Sequence, residues 1–282
     1  MSPIYTRSGL VALLCLGSGS LARSALPKLL PDPQPQRVFS GGLRQIHAFW
    51  RNDGVERVDC SLRLQLCQAA STTVASMGGQ PAKPLVVLPG QTIVETNAVS
   101  FPAVKAATRF LIQWVERTNK VFGTTEVLVY PRNLLAQLKT LAGGEPLGVF
   151  DPVNELKPLL RAQSVAYQDL LEDGTDKFHG RLAILGPFAS KQQMRERLAD
   201  DIRALAKRSV AVVWLQPSPD PRAPLKPSFY TVRVGEGTVV VAQAEMVSRL
   251  AENPEAQLNL IRLAEAALRP EPLDLPEPRN SN

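Results

Sequence analysis

The hydrophobic pattern changes once along this chain, at Tyr130-Pro131. Before that point, short segments alternate apolar and polar residues with a period of two, the pattern of half-buried strands. After it, short apolar runs alternate with stretches at helical spacing. A single switch of this kind predicts two domains of different class, and 282 residues are enough for two cores.

Residues 37–131 predict six strands: Gly42 to Arg51, Arg57 to Gln68, Leu85 to Leu88, Thr92 to Ser100, Ala107 to Glu116 and Thr124 to Tyr130. Asn52-Asp53-Gly54 and Pro89-Gly90 are turn signals between them. In the second strand Val58, Cys60, Leu62, Leu64 and Leu66 share one face, and Asp59, Ser61, Arg63 and Gln65 the other. Phe110, Ile112 and Trp114 alternate with Leu111, Gln113 and Val115, which predicts a central strand covered on both sides. About 95 residues with six or seven strands fit an immunoglobulin-like sandwich in general architecture.

Residues 132–269 predict an α/β domain. Asn133 to Leu141 reads as a short helix at the junction, and Pro146 to Phe150 as a buried strand. A helix over Asn154 to Leu171 follows, with Asp151 or Asn154 as its cap. Arg181 to Leu185, helix Ser190 to Lys207 and strand Ser209 to Leu215 continue the alternation. A hairpin of Phe229 to Val234 and Thr238 to Ala242 and a closing helix Pro254 to Leu268 complete it. Strand–helix alternation implies right-handed crossovers, and hence a flavodoxin- or Rossmann-like three-layer domain with a parallel sheet and an edge hairpin.

Residues 1–25 have the form of an export signal. Arg7 is the positive region, Leu10 to Leu16 the apolar core, and Ser20-Leu21-Ala22 the small-residue cleavage pattern. The core is short for a membrane span. Leu14 before Cys15 does not fit a lipoprotein signal. The expected location is periplasmic or extracellular, with no integral span beyond the signal segment. Residues 26–36, with four prolines, read as an extended linker, and 270–282, rich in proline and acid, as a mobile tail. In an oxidising compartment Cys60 and Cys67 could pair. In one straight strand they would face opposite ways, roughly 20 Å or more apart, so pairing needs a turn or bulge. The uninterrupted leucine alternation favours two buried free thiols.

Net charge is +6, with an excess of +4 in residues 37–131 and +2 in 132–269. There is no Lys/Arg stripe, which argues against a nucleic-acid footprint. No glycine-rich phosphate loop follows a strand: Gly143-Gly144 precedes one, and Gly235 and Gly237 belong to a hairpin. No cofactor or metal site is expected. His47 and His179 are the only histidines. His47 reads as a strand residue, and His179 has no second histidine nearby to make a site. Asp200-Asp201 reads as a solvated helix face.

In an open parallel sheet, ligands bind beyond the carboxyl ends of the strands. The ligand-binding candidates are therefore Asp151, Gly186, Phe188, Trp214 and Gln216. The aromatic pair Phe188 and Trp214 with the Gln216 amide could line a small sugar pocket. The prolines of 217–227 read as a rigid loop, either a binding loop above the sheet or a plain excursion.

The succession RLAILGPF, VAVVWLQP, YTVRVGEGTVVVAQ and PEAQLNLIRLAEAAL resembles the class I glutamine-amidotransferase-like fold over roughly 146–268. It is most similar to non-catalytic versions attached to bacterial glycosidases and to exported proteins of unknown function. The resemblance implies a cysteine on the turn after the third strand. The chain has Trp214-Leu215-Gln216-Pro217 there, no cysteine beyond Cys67, and no histidine where the family's His-Glu pair would lie. Amidase chemistry needs a thiolate and a base, so no amidotransferase activity is expected. The leading expectation is a non-catalytic exported scaffold or binding protein, in an envelope assembly or beside polysaccharide breakdown, whose partner is another envelope protein or a glycan. The alternatives are a hydrolase using Asp151 and other strand-end carboxylates, and a sugar or small-molecule binding protein.

Overall fold

The computed structural model describes residues 27–32, 35–70, 73–116, 119–188, 190, 193–194, 197–217 and 229–269. The expected signal segment, the tail from 270, residues 218–228 of the proline-rich loop and part of the expected 190–207 helix lie outside these.

Two sheets close on one core in the first half. One joins β1 (Lys28–Leu30), β3 (Gly42–Arg51) and β6 (Thr92–Phe101) in the order β1-β3-β6. The other joins β2 (Gln36–Phe39), β4 (Val58–Ala69), β5 (Val74–Val87), β7 (Thr108–Glu116) and β8 (Val121–Tyr130) in the order β2-β8-β7-β4-β5. Alternate residues point inward: Ile46, Ala48 and Trp50 from β3 meet Leu62, Leu64 and Leu66 from β4 and Phe110, Ile112 and Trp114 from β7. β7 is the central strand of its sheet. The Asn52-Asp53-Gly54 turn does not make a hairpin. It carries the chain from one sheet to the other, because β3 pairs with β6 and β4 with β5 and β7. Asn52, buried, donates from Nδ2 to the carbonyls of Glu56 (2.7 Å) and Val87 (3.1 Å), and its backbone pairs with Gln91 and Gly90. Cys60 and Cys67 are free thiols. The ladder is irregular between Leu66 and Cys67, which is why both Leu66 and Cys67 are buried although adjacent.

The second half forms one six-stranded sheet. Its strands are β9 (Leu147–Phe150), β10 (Tyr167–Asp169), β11 (Leu182–Leu185), β12 (Ala211–Gln216), β13 (Phe229–Val234) and β14 (Gly237–Gln243), in the order β10-β9-β11-β12-β14-β13. All neighbours run parallel except β13 with β14. Helices α1 (Gln137–Leu141), α2 (Leu156–Ala162) and α5 (Pro254–Leu268) pack against the face carrying Val149, Ile184, Val213 and Val240. Helices α3 (Leu170–Asp173) and α4 (Leu198–Lys207) pack against the face carrying Phe150, Leu185, Val212 and Val241.

The expected fold class, an immunoglobulin-like sandwich followed by a flavodoxin- or Rossmann-like three-layer domain, is overturned. Of the described residues 46% are strand and 22% helix, with 14 strands and 5 helices in three sheets, and they do not divide clearly into those two units. Three physical causes are visible. β1 forms inside the stretch read as linker, where Lys28–Leu30 pairs with Phe49–Arg51. β2 runs parallel to β8, so the five-stranded sheet is mixed. The helical covering is thin: α2 has seven residues and α3 four. The expected helix over 154–171 stops after Ala162, where Ser164 takes a left-handed conformation (φ +56°), and the chain returns as edge strand β10. The halves also share packing. Phe39 of β2 is buried in the same core as Leu134, Leu135 and α5. Arg132 donates to the carbonyls of Ser40 (3.0 Å) and Gly41 (2.7 Å), and Arg37 pairs with Glu255.

Candidate binding site

The carboxyl ends of β9, β11 and β12 hold the five residues singled out from the sequence: Phe188 and Trp214 share one core and Gly186 abuts Phe188, while Asp151 is engaged at the start of α2. Asp151 follows β9 and is 1% exposed. Its carboxylate accepts the backbone N–H groups of Leu156 (2.8 Å), Lys157 (3.0 Å) and Glu155 (3.3 Å). These are orphan donors of the first turn of α2, so Asp151 is the acceptor that starts this helix. Beside it, Lys157 Nζ bonds Asp169 Oδ2 at 2.7 Å, with side chains 11% and 19% exposed. Asp169 Oδ1 in turn accepts Leu171 N–H at 3.0 Å and caps α3. The sequence reading missed this ion pair, because Asp169 was placed inside a continuous helix.

Gly186, Phe188 and Trp214 lie on the α4 side of the sheet. Gly186 has φ +105°, and a Cβ there would sit 2.7 Å from the Leu215 carbonyl oxygen. Only glycine fits. Phe188 is buried against Phe150, ring centroids 5.9 Å apart. Trp214 packs on the same core, half-buried, and its indole nitrogen is buried without a hydrogen-bond partner. Gln216, two residues on, is half-exposed at the strand end. Asp200 pairs with Arg203 in the open, and both His47 and His179 are exposed, with His47 Nδ1 3.0 Å from Thr96 Oγ1. Among the described residues no group of three or more His, Cys, Asp or Glu side chains is placed to hold a metal ion. No helix among them is long and apolar enough to cross a membrane.

A second recess lies where sequence reasoning did not look. β5 and β6 are the neighbouring edges of the two facing sheets, and a slot opens between them over Trp50, Leu62, Leu64, Leu85, Asn97 and Trp114. Its empty space is about 320 Å³ including the open mouth, and the inner part has room for about one water. At the base, Trp50 and Trp114 meet edge to face, centroids 5.6 Å apart at 88°. Trp114 Nε1 donates to Thr125 Oγ1 at 3.2 Å, but Trp50 Nε1 and Asn97 Nδ2 are buried with no acceptor. At the mouth, Gln80 Nε2 donates to the Ala98 carbonyl and Lys83 Nζ to Asn97 Oδ1 (3.1 Å). β5 is locally irregular here: Pro81 and Ala82 together oppose the single residue Arg63. Proline has no N–H for the ladder and is tolerated at such a bulge.

No protein-family model matches the chain, and no curated protein matches it. Among solved structures, it is similar to a β-glucosidase from Listeria innocua at 10% identity and TM-score 0.28, over 37% of this chain and 16% of that one. It is also similar to a Niemann-Pick type C2 protein from Japanese carpenter ant (7%, TM-score 0.28, 39% of this chain and 96% of that one). A third is Spo0M, a sporulation control protein from Bacillus subtilis (11%, TM-score 0.28, 42% and 56%). The chain thus spans about a sixth of the glucosidase. None of these is a glutamine-amidotransferase-like domain, and likeness at this level carries no argument about fold or function.

Proposed function

We propose that the protein is an exported, non-catalytic binding or scaffold protein, acting in an envelope assembly or beside polysaccharide handling. The observation that supports it is the state of Asp151. A carboxylate at a strand end is where a hydrolase would keep its acid or base, and a general base must reach a substrate proton. This one is buried and engaged by three backbone N–H groups of α2. Asp169 is similarly engaged by Lys157 and Leu171. The slot between β5 and β6, with two unpartnered donors, offers a place to bind instead.

The test is a turnover screen of purified full chain and Asp151→Asn against ester, glycoside and phosphate substrates, with fractionation of producing cells alongside. The expected result is no turnover by either protein, and protein in the periplasmic or culture fraction. Turnover by the wild type that Asp151→Asn loses would establish the hydrolase reading. Retention in the cytoplasm would remove export. A second reading, sugar binding above the strand ends, is favoured by the buried, unpartnered indole N–H of Trp214 beside the half-exposed Gln216. A glycan array tests it, and silence across the array removes it.

A further inference from the structure

We infer that the slot between β5 and β6 binds a slender apolar molecule led by a carbonyl or carboxylate oxygen. This rests on the reading of the protein as a binding protein and names the ligand class for its slot. Lys83 fixes the Asn97 amide: an ammonium only donates, so the atom facing it must be Oδ1, and the NH2 group is turned away without an acceptor. Trp50 Nε1, on a fully buried side chain, adds a second donor of the same kind. A buried donor left unpaired costs about 1–3 kcal/mol, and an acceptor oxygen seated at either one removes that cost. The inner space has room for about one water, so it takes a single oxygen atom and not a bulky head. The walls above it are Leu62, Leu64, Leu85 and the two tryptophan rings, which suit an alkyl or aryl body. The enclosed space itself is only about one water in size, so the body of the ligand is held where the mouth widens.

The mouth can widen at low cost. Gln80 and Lys83 reach from β5 to β6 with side-chain bonds, where a continuous sheet would have ladder bonds, and the Pro81 bulge already loosens β5 from β4. Lys83 and Glu95 stand together at the mouth with opposite charges. Selection therefore falls to the donors inside, which accept a neutral carbonyl as well as a carboxylate.

Calorimetric titration of the full chain at neutral pH tests this with three probes of similar length: hexanoate, 2-heptanone and hexylammonium. Hexanoate and 2-heptanone are expected to bind saturably, and hexylammonium, which presents donors only, not at all. Comparing the first two separates the carboxylate from the neutral carbonyl. Trp50→Phe keeps a ring and removes the N–H, and Asn97→Leu removes the amide. Each is expected to weaken binding about tenfold, the effect of one lost buried hydrogen bond, with the melting temperature recorded to confirm the fold. If a variant does not fold, the head-group comparison on wild-type protein decides alone. The inference is overturned if neither carbonyl probe binds, which leaves a resident water only, if hexylammonium binds as well as they do, or if both folded variants bind unchanged. Such a failure leaves the non-catalytic reading standing, since that rests on Asp151. Enzymatic turnover in the substrate screen would remove the non-catalytic reading without touching the slot.

Discussion

Replacing Asp151 with alanine removes the acceptor of three amides at once. The N–H groups of Leu156 and Lys157, at 2.8 and 3.0 Å, are buried, and that of Glu155, at 3.3 Å, is partly so. Loss of an N-cap side chain costs about 0.5–2 kcal/mol where water can replace it, and a buried donor left bare costs about 1–3 kcal/mol. The two buried amides set the outcome at about 3 kcal/mol. A chain of this size loses about 2–4 °C per kcal/mol, so the melting temperature should fall by about 6–12 °C. Asp151→Asn keeps an acceptor oxygen for Leu156 and Lys157 but turns its NH2 group towards the Glu155 N–H, losing that bond and the favourable charge at the helix start, about 1.5 kcal/mol together, or about 3–6 °C. Thermal melts followed by circular dichroism measure both. A fall under about 2 °C for Asp151→Ala would refute the structural role argued for this carboxylate, and so would equal falls for the two variants.

Gly237→Ala should be among the most damaging single changes. Its Cβ would lie within 2.7 Å of three backbone atoms of Ala206, and overpacking of this kind costs about 3 kcal/mol or more, readable in the same melts. Lys157→Met leaves Asp169 charged and nearly buried with only the Leu171 N–H for company, at a cost of about 2–3 kcal/mol. Denaturant titration should show Lys157→Met/Asp169→Asn recovering part of that loss, and no recovery would count against the pair. Burial, followed by the charges of Glu116 and Asp59, pushes the Cys60 thiol up, and burial does the same to Cys67. The folded state therefore holds these thiols protonated where the unfolded chain ionises them. Their contribution to stability is intact below the ordinary thiol value of 9.0 and is lost as pH rises through the folded values. Melting temperatures should fall less steeply above that pH in Cys60→Ser/Cys67→Ser than in wild type, and alkylation of the native thiols at neutral pH should be slow.

Elements with strong local signals were legible. Strand Gly42–Arg51 and helix Pro254–Leu268 form over the spans their patterns predict, and the helix has Asn253 as cap, accepting from Glu255 N–H, with Pro254 at its start. Where no pattern existed, no element was found. The first part of β5, from Val74 to Gly79, is exposed throughout and contains Gly78-Gly79, so alternation is absent although the strand pairs with β4. β1 is three residues among prolines, paired with β3 and packed through Leu29 on the core beside Gly123 of β8. Asn52-Asp53-Gly54 does form a tight turn, with Asn52 Oδ1 accepting the Gly54 N–H, but Asn52 Nδ2 also bonds the Glu56 and Val87 carbonyls and the chain crosses to the other sheet. The fold class went wrong for the same reason: pairing across long sequence distance, such as β2 beside β8, leaves no local mark. Asp151 could be placed at a strand end because strand, cap and helix are contiguous. The Trp50–Asn97 slot could not, because it exists only once β5 and β6 become facing edges.

The central claim is that the groups at the strand ends hold the fold together and are not held ready for chemistry. Amide hydrogen exchange at Leu156 and Lys157, read by NMR, addresses this most directly. If the Asp151 carboxylate is engaged as described, both amides should be protected to nearly the level of the β11 and β12 core strands. Exchange at the rate of an exposed helix terminus would show a carboxylate free to act, and would contradict the account.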